Sequence, residues 1–382
     1  MKQVISSENK PIKLWLDEIE DGALQQAKNL ANLPFIFKHI ALMPDTHQGY
    51  GMPIGAVMCT QDVIVPNAVG VDIGCGMCSI KTNVEDIDTP TLKVLLSGIR
   101  KLIPLGFSKH REAQDNEYMP NRIGAIVDKN WTNARHQLGT LGGGNHFIEI
   151  QKGNDGYIWI MIHSGSRNLG KQVADYYNKV AIRNNQAWFS EVPKKWDLAF
   201  LPIHHIDGVN YLEEMQFCVD FALANRGLMM QRILDVFADE FSNFKHDKMI
   251  NIAHNYARLE HHFNTNVYVH RKGATSCKLD EIGIIPSSQG TKSYIVRGLG
   301  NPESFMSCSH GAGRIMGRKQ AVKNLDLKTE LNKMEGVIHS IRTEKDLDES
   351  VGAYKNIDTV MENQNDLVEI VTELTPLAVI KG

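Results

Sequence analysis

The stretch IFKHIALMPDTHQGYGMPIGAVMCTQDVIVPNAVGVDIGCGMCSI, residues 36–80, decides the fold class. Its apolar runs (IALM, GAVMC, VIVP, AVGVDIG) are too short for helices and are punctuated by Gly and Pro. That pattern predicts short strands joined by tight loops. Working outward, Tyr157–His163 (YIWIMIH) reads as a buried strand ending at a histidine. Val267–His270, Tyr294–Val296 and the last residues before Lys381 read as further strands. Apolar residues at helical spacing predict helices over Asp175–Trp196 and Leu212–Phe244. Residues 109–136 are polar and irregular, and no element is predicted there. The mixture is α+β, without the regular βαβ alternation of a doubly wound sheet.

Composition narrows the class. The chain has 382 residues, 42% hydrophobic and 22% charged, which excludes disorder, collagen and coiled coil. No repeat or Pro/Ser-rich linker divides it, so one compact domain over residues 1–382 is expected. No run approaches the ~18 apolar residues that span a bilayer. Glu8, Lys10 and Asp17 interrupt the N-terminal apolar residues, so no secretory signal is read and the cytoplasm is the expected compartment. Net charge is 41 − 44 = −3, which argues against a general nucleic-acid coat. Yet Val267–Lys323 holds nine Lys/Arg against three Asp/Glu, a local +6 that suits an anion site. The six cysteines are scattered, and a disulfide framework is not expected.

The 31 Gly and 15 His cluster together. MPDTHQGYGMPIG (43–55), VGVDIGCGMC (69–78), LGTLGGGNHFIE (138–149), IMIHSGSRNLG (160–170) and CSHGAGR (308–314) set Gly beside His, Asp or Cys. NIAHNYA (251–257) adds a central histidine. Glycine lets backbone approach a ligand closely, so these segments suit a site built from loops. Asp72 and Cys75 could share one metal, and His146, His163 and His254 would add imidazoles. Five donors exceed one tetrahedral site, and two metals bridged by the Cys75 sulfur would use them all. Taken singly, each histidine more often serves a hydrogen-bonded structural role, and it is their joint occurrence inside Gly motifs that points to metal. His310, four residues before Arg314, suits nucleophilic attack on a phosphoryl group, with Arg314 and Arg167 offsetting phosphate charge. Asn145 and Glu149 could read a nucleobase or ribose, or merely cap a loop.

Together these segments resemble the RtcB family of RNA-splicing ligases. The match runs from FIFKHIALMPD (35–45) through AVGVDIGCGM (68–77), GGGNHFIE (142–149), WIMIHSGSR (159–167), VRGLGNPESF (296–305) and CSHGAGR to Lys381-Gly382. The resemblance implies a GTP- and Mn²⁺-dependent ligase that joins RNA 2′,3′-cyclic phosphate or 3′-phosphate ends to 5′-hydroxyl ends. It implies one RtcB-like domain with mixed and antiparallel sheets, surrounding helices and a loop-built dinuclear metal site. On the matching positions, Asp72, Cys75, His146, His163 and His254 would hold two Mn²⁺ ions, Cys75 bridging. His310 would form a covalent histidine–GMP, oriented by Asp45. Asn145, Glu149, Ser288, Ser293, Ala312, Tyr354 and Lys381 match the guanylate pocket, and Arg167 and Arg314 face the phosphates. Tyr50 stands where many family members carry Lys, and residues 90–135 match least well.

Two other classes compete. A two-metal phosphoesterase or nuclease would use the same ligands to activate water and would need neither His310 nor a guanine pocket. A redox or metal-binding regulator would rest on Cys75–Cys78, a C-x-x-C without the βαβ context or second pair that such motifs require. The remaining conspicuous residues read as structural. His204–His205 and His261–His262 suit surface pairs, and Met229–Met230 suits the apolar stripe of a helix. His47 lies beside Asp45 with no metal role assigned.

Overall fold

The computed structural model describes residues 1–382. Two sheets carry the site. The first has six strands in the order Gln3–Ile5, Ile12–Leu14, Ile36–His47, Ile54–Thr60, Thr265–Lys272 and Asn255–His262. All its pairings are antiparallel except that of Ile12–Leu14 with Ile36–His47. The second sheet is antiparallel throughout, in the order Ile250–Ala253, Gly76–Lys81, Ile158–Ser164, Phe147–Gly153, Val368–Lys381, Ser293–Gly298 and Ile282–Ile285.

The central strands of both sheets are covered on both faces, and that is why Ile54–Thr60 and Ile158–Ser164 read as near-continuous apolar runs. Side chains alternate across a strand with a period of two. In the first sheet, Ile40, Leu42, Ala56 and Met58 enter one core while Ala41, Met43, Val57 and Cys59 enter another. In the second, Ile148, Ile150, Ile160 and Ile162 pack on Met229, Met230, Ile233 and Phe237. Phe147, Trp159 and Met161 face the opposite core. Every residue of Ile158–Ser164 is therefore buried.

The helices differ in detail from the sequence expectation. The first long one spans Leu169–Ala187, starting six residues earlier than the periodicity predicts. The second spans Ile206–Glu240, 35 residues, and starts where His205 accepts a hydrogen bond from the Asp207 amide. A further helix, Ala125–Gln137, occupies part of the segment read as irregular. It buries only Val127 and Ala134 of its own residues, so no apolar stripe announces it. The His261–His262 pair is also corrected. His262 is buried, with Nε2 3.1 Å from Glu260 Oε2. His261 remains exposed, and Met229 and Met230 are core residues as expected.

The middle of helix 206–240 does more than pack. Asn225 Oδ1 accepts from the amides of Gly139 and Thr140 at 2.7 and 3.1 Å. Its Nδ2 donates to Thr140 O, Ser164 Oγ and Gly165 O at 3.1–3.2 Å. Next to it, buried Arg226 donates to Gly74 O at 3.0 Å, Ser164 O at 2.8 Å, Ile252 O at 3.2 Å and Asn251 Oδ1 at 2.8 Å. These two side chains hold four separate segments in one place. Removing them leaves buried backbone groups unpaired, each costing ~1–3 kcal/mol. Asn225→Ala should destabilise the protein by about 3 kcal/mol or more. A urea-denaturation midpoint equal to that of the parent protein would contradict this.

Candidate active site and metal centre

The four segments tied by Asn225 and Arg226 bring chemistry with them. Cys75 precedes the strand Gly76–Lys81, and its carbonyl accepts from the His254 amide at 2.8 Å. Cys75 Sγ lies 3.5 Å from His146 Nε2 and 3.3 Å from His163 Nε2. These three ligand atoms all lie within 4.8 Å of one another. Asp72 Oδ2 reaches His146 Nε2 at 3.4 Å, and the His254 ring sits 5.2 Å from that of His163. His163 Nδ1 donates to Asn145 O at 3.0 Å, which leaves Nε2 with its lone pair toward the sulfur. Gly142 adopts φ +95°, and a side chain there would strike His146 Nδ1 and Arg167. Glycine is thus required to let the loop pass so close to the cluster.

The donor set fits a metal ion. Thiol and imidazole converge, and the buried Nδ1 atoms of His146 and His254 have no protein partner. Burial pushes the Cys75 thiol well above its ordinary range, an effect reinforced by the Asp72 charge. Burial likewise holds His163 and His254 well below the usual imidazole range. Burial thus favours the neutral forms of the Cys75 thiol and of the His163 and His254 imidazoles. A cation would convert that thiol to a thiolate ligand.

Cys78 does not join in. Cys75 sits in the turn before the strand, whereas Cys78 lies within it and enters the core, with Sγ 3.9 Å from Arg226 O. Burial pushes its thiol up to about 12. The C-x-x-C spacing thus straddles a turn and a core strand and makes no dithiol pair.

A line of imidazoles continues from the cluster. The His254 ring lies 4.8 Å from that of His310, which follows the short strand Ser307–Ser309. His310 Nδ1 donates to Asp45 Oδ2 at 2.6 Å, and its backbone amide donates to the same oxygen at 3.1 Å. Asp45 is fully buried, and its other oxygen has no partner. Lys355 Nζ bridges Pro44 O and Thr46 O at 3.0 and 2.7 Å, fixing the strand end that carries Asp45. Gly313 (φ +74°) crosses against the Asp45 carbonyl, where any side chain would collide.

His310 opens into a cavity of about 220 Å³. Asn145, His163, Ser288, Ala312, Arg314, Tyr354 and Lys381 line it. Two expected members do not. Glu149 is buried two residues beyond Phe147, accepting from Gln151 Nε2 at 2.7 Å, and burial pushes its carboxyl up to about 8. Ser293 is also buried, and its hydroxyl accepts from the Ser287 amide at 3.3 Å. Lys381 Nζ donates to Gly144 O at 2.6 Å. Arg314 is held by Glu349 at 2.5 Å and Asp348 O at 2.6 Å, beneath the Tyr354 ring. Arg167 is not among the cavity-lining residues; it approaches Gly142 beside His146, donating to Thr140 Oγ1 at 2.8 Å and Gly106 O at 3.0 Å.

Sequence reasoning missed several lining residues. Arg318 pairs with Glu349 at 2.7 Å, and Gln289, Glu349 and His47 also face the cavity. Arg318 could have been read from its spacing, four residues after Arg314. Glu349 lies in a polar stretch with no comparable signal. No helix in the chain is long and apolar enough to cross a membrane.

The family model described as "tRNA-splicing ligase RtcB" matches residues 26–132 and 109–382. The RNA-splicing ligases RtcB1 and RtcB of two Escherichia coli strains, ATCC 25922 and K12, are each 38% identical over 412 residues. Those alignments cover 100% of this chain and 99% of each relative. The tRNA-splicing ligase RtcB of Pyrobaculum aerophilum is 30% identical, over 97% of this chain and 95% of its own.

Because the Cys75 thiol must lose its proton to bind a cation, affinity should rise steeply with pH. Between pH 6.5 and 7.5 the increase should approach tenfold per unit for one coupled proton. Metal titrations of the protein and of Cys75→Ala check this. The variant should bind weakly and without that slope.

Proposed function

The chain belongs to the RtcB family and is an RNA ligase; we propose that it joins RNA 3′-phosphate or 2′,3′-cyclic phosphate ends to 5′-hydroxyl ends at the expense of GTP. The observation that carries this reading is the His310–Asp45 pair at 2.6 Å, set beside the Cys/His cluster and opening into the cavity. Asp45 holds the proton on Nδ1, so Nε2 presents a lone pair to the cavity. Nε2 attacks the α-phosphorus of GTP, a P–N bond forms, and pyrophosphate leaves. The ring becomes cationic in that step, and the buried Asp45 carboxylate stabilises it. An oxygen of the RNA 3′-phosphate then attacks the guanylyl phosphorus and restores His310, leaving RNA capped as 3′-pp-5′-G. The 5′-hydroxyl displaces GMP and closes the phosphodiester. A cyclic phosphate is first opened by water.

Asn145, Ser288, Ala312, Tyr354 and Lys381 line the guanylate pocket in this reading. Glu149 sits behind them, and Ser293 acts by fixing the Ser287 backbone. Arg314 and Arg318 share Glu349 and offer N–H groups toward the phosphates. Arg167 serves the RNA phosphate on the cluster side. Asp72, Cys75, His146, His163 and His254 would hold two Mn²⁺ ions with Cys75 between them, supplying positive charge to the transferring phosphate. Thiolate and imidazole are soft to borderline ligands, so zinc should compete. We assign the reaction to the chain 1–382 acting as one unit in the cytoplasm.

Incubation with Mn²⁺ and α-labelled GTP should leave acid-labile, alkali-stable label on the protein, and ATP should not. His310→Ala should abolish the label, and Asp45→Asn should slow its formation by about a hundredfold or more. A hydrolytic phosphoesterase would cleave RNA ends while taking up no label.

A further inference from the structure

The segment after helix Thr89–Leu102 is used neither by the metal cluster nor by the nucleotide cavity. From the last turn of that helix onward, residues 100–111 read RKLIPLGFSKHR, with four Lys/Arg and no Asp/Glu. Arg100, Lys101, Lys109 and Arg111 are all exposed, and none is in an ion pair. Phe107 is 102% exposed, a fully solvated ring.

The loop that presents this ring is pinned. Gly106 N donates to Gly142 O at 3.2 Å, and Arg167 Nη2 donates to Gly106 O at 3.0 Å. Leu141 N donates to Pro104 O at 3.0 Å. Downstream, the His110 amide donates to His136 O at 3.0 Å, and its imidazole lies 2.8 Å from Arg232 Nη1. The ring therefore stays exposed on a fixed support. That support is the glycine loop 142–144, which touches His146 on its inner side. Arg318, a cavity-lining residue, packs against the same loop at Gly144. A cation, a glycine bridge, an aromatic ring and further cations thus follow one another along the rim.

Resting on the ligase reading above, we propose that this rim is a docking site for single-stranded RNA, in which Phe107 stacks a base near the reacting end and Lys109 and Arg111 meet the backbone. An exposed aromatic flanked by cations is the arrangement that binds unpaired strands, because every base offers a π-face and every linkage a negative charge. A paired duplex would hide the faces of its bases. The absence of acids across 100–111 disfavours a basic partner.

The test uses the full chain and a short oligoribonucleotide carrying 2-aminopurine beside its 3′-phosphate. Binding to the parent protein should quench the fluorophore by stacking. Phe107→Ala should lose the quench and bind about tenfold more weakly, while Phe107→Trp should retain both. Phe189→Ala removes a ring 91% exposed at the end of helix 169–187 and should change nothing. Replacing Lys109 and Arg111 with Gln should flatten the log–log salt dependence by about 0.7 per charge. Phe107→Ala should still take GTP label on His310, which shows that it is folded. Parent-like quench and affinity in a labelled Phe107→Ala protein would overturn the proposal, as would a parent protein that gives no quench. If the parent takes no GTP label, the ligase reading fails by itself and the quench comparison still decides the role of Phe107.

Discussion

Everything at the reactive centre depends on a polar clamp buried in the middle of a helix. Asn225 and Arg226 make nine hydrogen bonds between them, all to segments 74, 139–140, 164–165 and 251–252: seven to backbone groups and two to the side chains of Ser164 and Asn251. Those segments carry or adjoin Cys75, His146, His163 and His254. Loop backbone buried this deeply would otherwise leave its amides and carbonyls unpaired. Two adjacent side chains satisfy those groups and at the same time set the distances among the ligands. The charge of Arg226 is spread over four oxygen acceptors rather than paired with a carboxylate, which keeps the region free of an extra anion beside Cys75.

Burial then sets the chemistry. It drives the Cys75 thiol and the imidazoles of His163 and His254 toward their neutral forms. A cation placed among the Cys75 sulfur and the Nε2 atoms of His146 and His163 would offset that desolvation by converting the thiol to a thiolate ligand. The same low-dielectric setting strengthens the His310–Asp45 contact, where a fully buried carboxylate faces an imidazole that opens to the cavity. The four rings of His146, His163, His254 and His310 lie at successive spacings of 5.4, 5.2 and 4.8 Å. The Cys/His cluster and His310 are thereby neighbours without sharing a strand.

Much of this was legible in the sequence because local rules governed it. The run at 157–163 was read as a strand, and the structure places it at 158–164. The Gly-flanked His, Cys and Asp residues pointed to a loop-built site, since glycine beside a ligand-binding side chain signals close backbone approach. Helix Ala125–Gln137 was not legible, because it buries too little of itself to carry a period. His262 was misread as exposed, because its partner Glu260 sits on the same face two residues away and only the covering layer buries both. The Asn225–Arg226 clamp interrupts an apolar helix and could have been noticed as a polar pair in a core stripe, but its nine partners lie far off in sequence.

The sequence by itself determined the α+β class, the identity of the chemical side chains and the resemblance that names their family, since each rests on residue type and short-range order. Only the tertiary structure decided which of them share a point in space. It separated Cys78 from Cys75, drew Arg318 and Glu349 into the cavity, and withdrew Glu149 and Ser293 behind its wall. Those outcomes depend on strand register and on burial, and both are set by contacts between segments that the chain brings together only when it folds.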